Sequence, residues 1–487
     1  MPTATDLANL VRCTHRVYLD ANGDPSEKVP ASGFLQLLWE NGRAHEETVI
    51  AALPITEAPT QCDPSQRASE TLQLMRAGTE LIYHGLLRSG DLVGEPDLLE
   101  RVAIPSALGD FSYIPVEIKN AGAFEDDAGE RPKESYLAQL SAYAELLEHA
   151  QGVRPSTGKI IDSSGKQSVV ALATYRPRYD ALRARHGRVT SAQEVTRPGW
   201  KSSCDVCQWQ LRCHRVLLES DDLTMVAGLG ETHREKLEAL GIRSVSDLAR
   251  TSAGDVEGKA KGIGATLATS WTRQARVQKA GRHQILARWA PPEQQLEISY
   301  DVEEFIPGPF VYLHGLLIRE RTGARFGAPD FTPAALGAYQ PVCADANDVE
   351  SAVWARFLDA VKRIEQLGSY LVYVYSSHER TTVKRLAAKY GGSDELERFV
   401  ARFVDLHEVI RRTMVLPTDS YSLKAVANYA GFRWREETPS GSESMAWWNQ
   451  YCSDPVAHAA LRDRILAYNE DDLRASFAVA DWLARVE

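Results

Sequence analysis

Three sets of residues in this chain have the types and spacing to do chemistry. The first joins Asp97 in GEPDLLE to Glu117 and Lys119 in YIPVEIKNAG. Residues two apart on a strand point to one face, so Glu117 and Lys119 share a face and Ile118 takes the other. Two carboxylates and an ammonium on neighbouring strands suit a hard divalent cation. Such a cation orients a phosphate and acidifies a bound water, while the lysine steadies the charge that develops. His45 in NGRAHEE can add an imidazole ligand, and Gln139 and Tyr143, four apart, fall on one helix face. The second set is thiols: Cys204-x2-Cys207-x5-Cys213, with Cys13 far upstream as the candidate fourth donor. Ligation over that separation would close a large loop and couple metal to folding. The spacing leaves zinc and iron–sulfur both open. Cys62, Cys343 and Cys452 have no partner at motif spacing. The third set is acidic again: Asp301-x-Glu303 on a strand pattern, Glu379 at a helix start, and Tyr468-x3-Asp472 on a helix pattern.

The elements that must position these groups fall into three blocks: 1–215, 216–288 and 294–487. The first mixes helical and strand patterns and ends at the cysteine cluster. The second, from VAGLGETHREKLEALGIRSVSDLA to residue 288, reads as short helices punctuated by glycine. Gly228 and Gly230 form one apolar-Gly hairpin; Gly262 and Gly264 in KGIGATLATSW form a weaker copy. Backbone N–H groups at such turns can hold a phosphate without reading bases. Charge agrees: the chain carries a net −11, yet the stretch from Lys259 to Arg282 has six basic residues and no acidic one. Lys259, Lys261, Arg273 and Arg276 are the candidate phosphate contacts. Pro291–Pro292 marks a linker. The last block opens on an alternating stretch from Leu296 and an apolar run from Phe310 to Ile318, expected as a hairpin. YLVYVY at 370–375 is expected as a buried central strand. Helices are expected near 347–367, 378–390, 455–466 and 470–485.

The order G-x-x-H, G-x-P-D, E-x-K, Q-x-x-x-Y resembles the RecB-like branch of the PD-(D/E)xK nucleases. The resemblance implies a restriction-endonuclease-type α/β core, with His45, Asp97 and Glu117 as ligands of Mg²⁺ or Mn²⁺. Lys119 would be the catalytic lysine, and Gln139 and Tyr143 the motif helix. The split cysteine pattern is similar to that of iron–sulfur RecB-like nucleases. It implies a 4Fe–4S cluster on Cys13, Cys204, Cys207 and Cys213, with Zn²⁺ as the alternative. The middle block resembles a small all-α helix–hairpin–helix segment. The last block resembles the DEDD exonucleases of the RNase H-like α/β fold. There Asp301 and Asp472 would bridge metals, Glu303 would orient water and Tyr468 would hold the nucleophile. Glu379 departs from that pattern, because Ser376-Ser377-His378 precedes it where an Asn/Phe-containing motif ending in Asp is expected.

Composition sets the outer limits. Apolar residues make up 44% and charged residues 25%, ordinary for a globular chain, and 487 residues afford several cores. Seven cysteines do not make a secreted disulfide framework. No apolar run is long enough to span a membrane, and MPTATDLANLVRC lacks the features of a secretory signal, so the expected address is the cytoplasm. No G-x4-G-K-[ST] occurs, so no ATP motor is expected here. The sequence therefore reads as a multi-domain α/β, metal-dependent DNA exonuclease of repair, recombination or defence, working on single strands or ends, with a separate helicase as partner. The alternatives are a DNA-end-binding subunit with vestigial sites and a CRISPR spacer-processing nuclease. Cleavage by the isolated chain separates the first alternative from an active enzyme.

Overall fold

The structure is a computed structural model and describes residues 2–53, 57–126, 128–305, 308–320, 338–436 and 440–486. The chain packs as two units: Met1–Pro30 with Leu35–Pro198 and Cys207–Arg212, and Ala31–Phe34 with Gly199–Val206 and Cys213–Glu487. Residues 216–288 pack within the second unit. No helix among the described residues is long and apolar enough to cross a membrane.

The first unit is built on five strands: β1 (Leu81–Tyr83), β2 (Leu98–Val102), β3 (Ser112–Ile118), β4 (Thr157–Ile161) and β5 (Gln167–Ala171), adjacent in that order. All pairs are antiparallel except β3 and β4. A parallel pair needs a crossover, and the helix Glu134–Gln151 supplies it. This helix is rich in Ala and Leu, and Gly152 ends it in the left-handed region at φ 73°. Every residue of β3 is buried, because the sheet is covered on both faces there. Tyr113, Leu140, Tyr143, Leu147 and Ile160 pack at the centre.

The second unit holds another five-stranded sheet. Its strands are β6 (Leu296–Phe305), β7 (Phe310–Glu320), β8 (Tyr339–Cys343), β9 (Tyr370–Val374) and β10 (Phe403–Asp405), in the spatial order β8-β7-β6-β9-β10. The expected hairpin forms as β6 and β7, antiparallel; β9 lies parallel to β6 and is buried along its length, between β6, which takes the central place, and the edge strand β10. Tyr300, Phe357, Val372 and Phe399 pack on one face; Leu371, Tyr373, Leu473 and Phe477 pack on the other. The expected helices appear at Glu350–Ile364 and His378–Tyr390. The two expected closing helices are one continuous helix, Ala459–Arg485. No glycine or proline interrupts the stretch between them, so nothing in the sequence stops it.

The middle block forms short helices, Glu231–Ala239, Val245–Arg250 and Ala253–Val256, followed by the longer Ala265–Ala280. Leu237, Leu248, Val256 and Trp271 close its own small core. Gly228 and Gly262 turn the chain at φ 79° and 84°, where a Cβ is disfavoured. Beneath the core, Arg234 donates to Asp222 at 2.8 Å, and both side chains are buried.

Candidate active sites

In the second unit, Asp301, Glu303 and Asp472 each offer a carboxylate oxygen, and these oxygens lie within 4.8 Å of one another. Strand alternation explains the first pair: Asp301 and Glu303 leave β6 on the same face. Asp472 comes from the long C-terminal helix, which packs against β6 and β7. A bulge in β7 between Val311 and Leu313 leaves Tyr312 as the extra residue, re-aimed so that its hydroxyl donates to Glu303 at 3.3 Å. Ser444 lies 2.8 Å from the same hydroxyl.

A ring of donors fixes these carboxylates. The Trp434 indole N–H donates to Asp472 at 2.6 Å. The Asn469 amide donates to Asp301 at 2.7 Å, and the Tyr339 hydroxyl donates to the Asn469 Oδ1 at 2.8 Å. Lys424 donates to the Tyr468 hydroxyl at 3.0 Å. Asn469 reaches Asp301 only because Gly315 lies across the ladder from it; a Cβ at 315 would fall inside the Asn469 amide. Trp434, Asn469, Lys424 and Gly315 were not among the sequence candidates. Asn469 had a visible signal, since it lies three residues before Asp472 on the same helix.

Glu379 sits in the first turn of His378–Tyr390, almost wholly buried, and lines the same cleft as Asp301 and Asp472. Its Oε2 has no hydrogen-bond partner among the described residues. The turn that delivers it passes through Ser376 at φ 126°, a conformation disfavoured for a side-chain-bearing residue, and the Ser376 hydroxyl accepts from the His378 N–H at 3.1 Å. Burial raises the Glu379 carboxyl to about 7. Burial, then the neighbouring carboxylates, also pushes Asp301 and Glu303 upward. Buried like charges this close call for a counter-charge. The donors are all hard oxygens and one is unpartnered, which fits Mg²⁺ or Mn²⁺. Asp301, Glu303 and Asp472 are the residues that would hold it, with Glu379 in the same cleft.

The first unit gathers a second set. Asp97 accepts from the Ile118 backbone N–H at 2.6 Å, and Lys119 is ion-paired to Glu117. Glu117 is completely buried, and its Oε1 has no hydrogen-bond partner among the described residues. Burial and then the Glu117 charge raise Asp97 to about 8. Burial opposes the Lys119 charge, yet Glu117 and Asp97 outweigh it and hold the ammonium above its ordinary value. Gln139 donates to Tyr143 at 3.0 Å, and Tyr143 donates to the Glu95 carbonyl at 3.1 Å, so this pair braces the loop before Asp97.

His45 is not brought to this group. Its ring meets the Asp162 carbonyl at 3.1 Å. The next residue on the helix, Glu46, joins His84 and Asp97 in a group whose ligand atoms lie within 4.8 Å of one another. His84 meets Glu46 at 2.6 Å and adopts φ 50°. One helical step turns a side chain through about 100°, so H-E-E offered either residue. His84 had no motif to mark it.

Among the thiols, Cys13 and Cys207 lie in the first unit and Cys204 and Cys213 in the second. None of the seven cysteines forms a disulfide among the described residues. Burial raises the Cys207 thiol, and a charge on Cys13 adds to the rise. In the middle block, Gly228 and Arg273 line the same cleft as the second unit's acids. Gly230 and Gly264 are the N-caps of their helices, and Gly262 lies just ahead of the second. Lys259 pairs with Asp255, and the Lys261 carbonyl accepts from Lys236. Arg276 donates to the Ala249 and Thr251 carbonyls, so its guanidinium is occupied in holding the block together.

A family model described as the RNase_H superfamily matches residues 309–484. Glu379, Tyr468 and Asp472 fall inside the match, and β6 with Asp301 and Glu303 just ahead of it. The chain thus carries an RNase H-like domain, which marks a metal-dependent nuclease acting on nucleic acid. No curated protein matches the chain.

Proposed function

We propose that this protein is a metal-dependent DNA nuclease of exonuclease type that hydrolyses phosphodiester bonds at the carboxylate cluster of its second unit. The observation that carries the reading is the convergence of Asp301, Glu303 and Asp472, with the unpartnered Glu379 in the same cleft. A divalent cation held there would neutralise the phosphate and acidify a water. The protein's own work is positional. Trp434 and Asn469 lock the orientation of Asp472 and Asp301, as outer partners of metal ligands do. Glu303 orients the attacking water, and Tyr468, held by Lys424, steadies the nucleophile. The test is end-labelled single- and double-stranded DNA, with RNA beside it, in Mg²⁺ or Mn²⁺. In a Lys119→Ala background, a ladder that Asp301→Asn and Asp472→Asn remove supports the reading; a chain inert in that background defeats it.

A second nuclease centre is proposed in the first unit, of the RecB-like kind. It is supported by Asp97, Glu117 and Lys119 meeting at the β2–β3 edge with Glu46 and His84 alongside. Glu46 and His84 take the ligand role that the motif order assigns to His45. On the resemblance of the split cysteine pattern to that of iron–sulfur RecB-like nucleases, Cys13, Cys204, Cys207 and Cys213 are proposed to carry a 4Fe–4S cluster, with Zn²⁺ as the alternative. A role in DNA repair beside a separate helicase belongs to the same proposal.

A further inference from the structure

The cleft over the second unit's acids has a volume of about 1040 Å³. Its floor is Asp301, Glu379 and Asp472, yet much of its lining comes from the middle block. The helix Ala265–Ala280 presents Thr266, Thr269, Ser270 and Arg273 to it. Their spacing of i, i+3, i+4 and i+7 makes one continuous stripe on the helix. The stripe is polar and open: Thr266, Thr269 and Ser270 are exposed, and their side chains make no hydrogen bond among the described residues. Arg273 and Arg411, both lining the cleft, form no ion pair among the described residues. The Arg411 guanidinium lies over the Tyr421 ring, 5.8 Å from its centroid, so that cation and ring present one combined surface to the cleft.

The helix is fixed to the RNase H-like domain rather than hinged on it. Gln274, buried, donates to the Leu416 carbonyl at 2.6 Å and accepts from the Tyr421 hydroxyl at 2.9 Å. Tyr421 thereby ties one wall to the other, and Tyr375 donates to its carbonyl at 2.9 Å. Tyr375, His407 and Tyr421 leave ring surface along the cleft.

We propose that the middle block is the second wall of the catalytic cleft, and that the two walls together hold an unpaired nucleic-acid strand. Its phosphates lie on the stripe and on Arg273 and Arg411; its bases lie against Tyr375 and Tyr421. The proposal rests on the nuclease reading above and names its substrate form. Hydroxyls and guanidiniums hold backbone without reading sequence, and aromatic rings accept any base. Stacking on Tyr375 and Tyr421 needs unpaired bases, which a duplex does not offer, and a cleft of about 1040 Å³ has room for a short stretch of one strand. On this proposal the middle block serves the strand being cut.

The test uses the full chain carrying Lys119→Ala and Asp472→Asn, so that neither centre consumes the probe, with fluorescein-labelled dT12 in Mg²⁺. Binding is followed by anisotropy across a salt series. Arg273→Gln with Arg411→Gln is expected to weaken binding at least tenfold. It should also flatten the slope of log affinity against log salt by about 1.4, or roughly 0.7 per lost phosphate contact on a single strand. Thr266→Glu with Thr269→Glu, which alters exposed side chains without fold contacts, should weaken it likewise. An unlabelled blunt duplex should not displace dT12. Parent-like affinity and slope in both variants, or a duplex competing as well as dT12, overturns the proposal. Each reading fails in its own way. Loss of dT12 binding in the variants while the otherwise unaltered chain cuts nothing leaves the strand grip standing and removes the hydrolase. Cleavage by that chain with unchanged KM in both variants does the reverse.

Discussion

At the scale of single residues, the acidic cluster is governed by what stands behind it. Gly315 makes room for Asn469, and Asn469 aims Asp301. Gly315→Ala is therefore expected to displace that amide and lower cleavage by the second unit about 10- to 100-fold, the usual cost of losing an outer partner of a metal ligand. Asp301→Asn, which removes a ligand, should abolish it. Circular dichroism of Gly315→Ala should match that of the parent, and a fully active variant would show that the Asn469 contact is dispensable. Glu379 makes the second prediction. Between the ordinary glutamate value and about 7, the folded chain keeps this proton and the unfolded chain has lost it. The folded state then binds more protons, so metal-free stability falls as pH rises through that window. A shift of this size corresponds to roughly 2–4 kcal/mol across the window. Glu379→Gln, which cannot titrate, should lose less stability between pH 5 and pH 8 in EDTA. Mg²⁺ at a hundred times its dissociation constant should restore about 2.7 kcal/mol to the parent. Equal pH slopes for parent and variant would refute the assignment.

At the scale of elements, the middle block depends on one buried pair. Asp222 accepts from Arg234 and from the Thr224 backbone N–H and hydroxyl, so it serves as both counter-ion and cap. Asp222→Ala leaves the Arg234 guanidinium buried without this charge, which should cost about 3–5 kcal/mol. Chemical denaturation would measure it, and a loss below about 1 kcal/mol would mean that Arg234 finds water. Much of this level was legible in the sequence. Alternation gave β6, the apolar runs gave β7 and β9, and of the middle block's hairpin glycines Gly228 and Gly262 fell where the chain needs positive φ, while Gly230 and Gly264 cap helices in extended backbone. Three features were not. The bulge at Tyr312 has no local sequence signal, because ladder register is a long-range property. The unity of the C-terminal helix shows in the sequence only as the lack of a breaker between its two apolar patterns. The docking of Ala265–Ala280 on the RNase H-like domain depends on Gln274, a polar residue whose burial only the assembled fold reveals.

At the scale of the whole molecule, the chain carries two acidic centres built from different chemistry. The second unit gathers three carboxylates with Lys424 held off on the Tyr468 hydroxyl, whereas the first pairs Lys119 directly with Glu117. Spacing along strands made Glu117–Lys119 and Asp301–Glu303 legible. The partners that arrive from elsewhere, Glu46, His84 and Trp434, were not, because each comes from a segment whose approach is decided by tertiary packing. Two centres on separate units need not share a substrate, and single substitutions can apportion the work. Lys119→Ala removes a cation that steadies developing charge and should lower cleavage by the first centre about 10²- to 10³-fold. Asp472→Asn should silence the second centre and leave the first intact. With end-labelled single strands and blunt duplexes assayed side by side, each substitution is expected to remove a different part of the parent's product pattern. The double variant should remove all of it. If Lys119→Ala changes nothing on either substrate while Asp472→Asn abolishes both, the first unit does not cut and its acids have a structural or binding role. If Asp472→Asn changes nothing, the convergence of Asp301, Glu303 and Asp472 is not a hydrolytic centre, and the nuclease activity resides at Lys119.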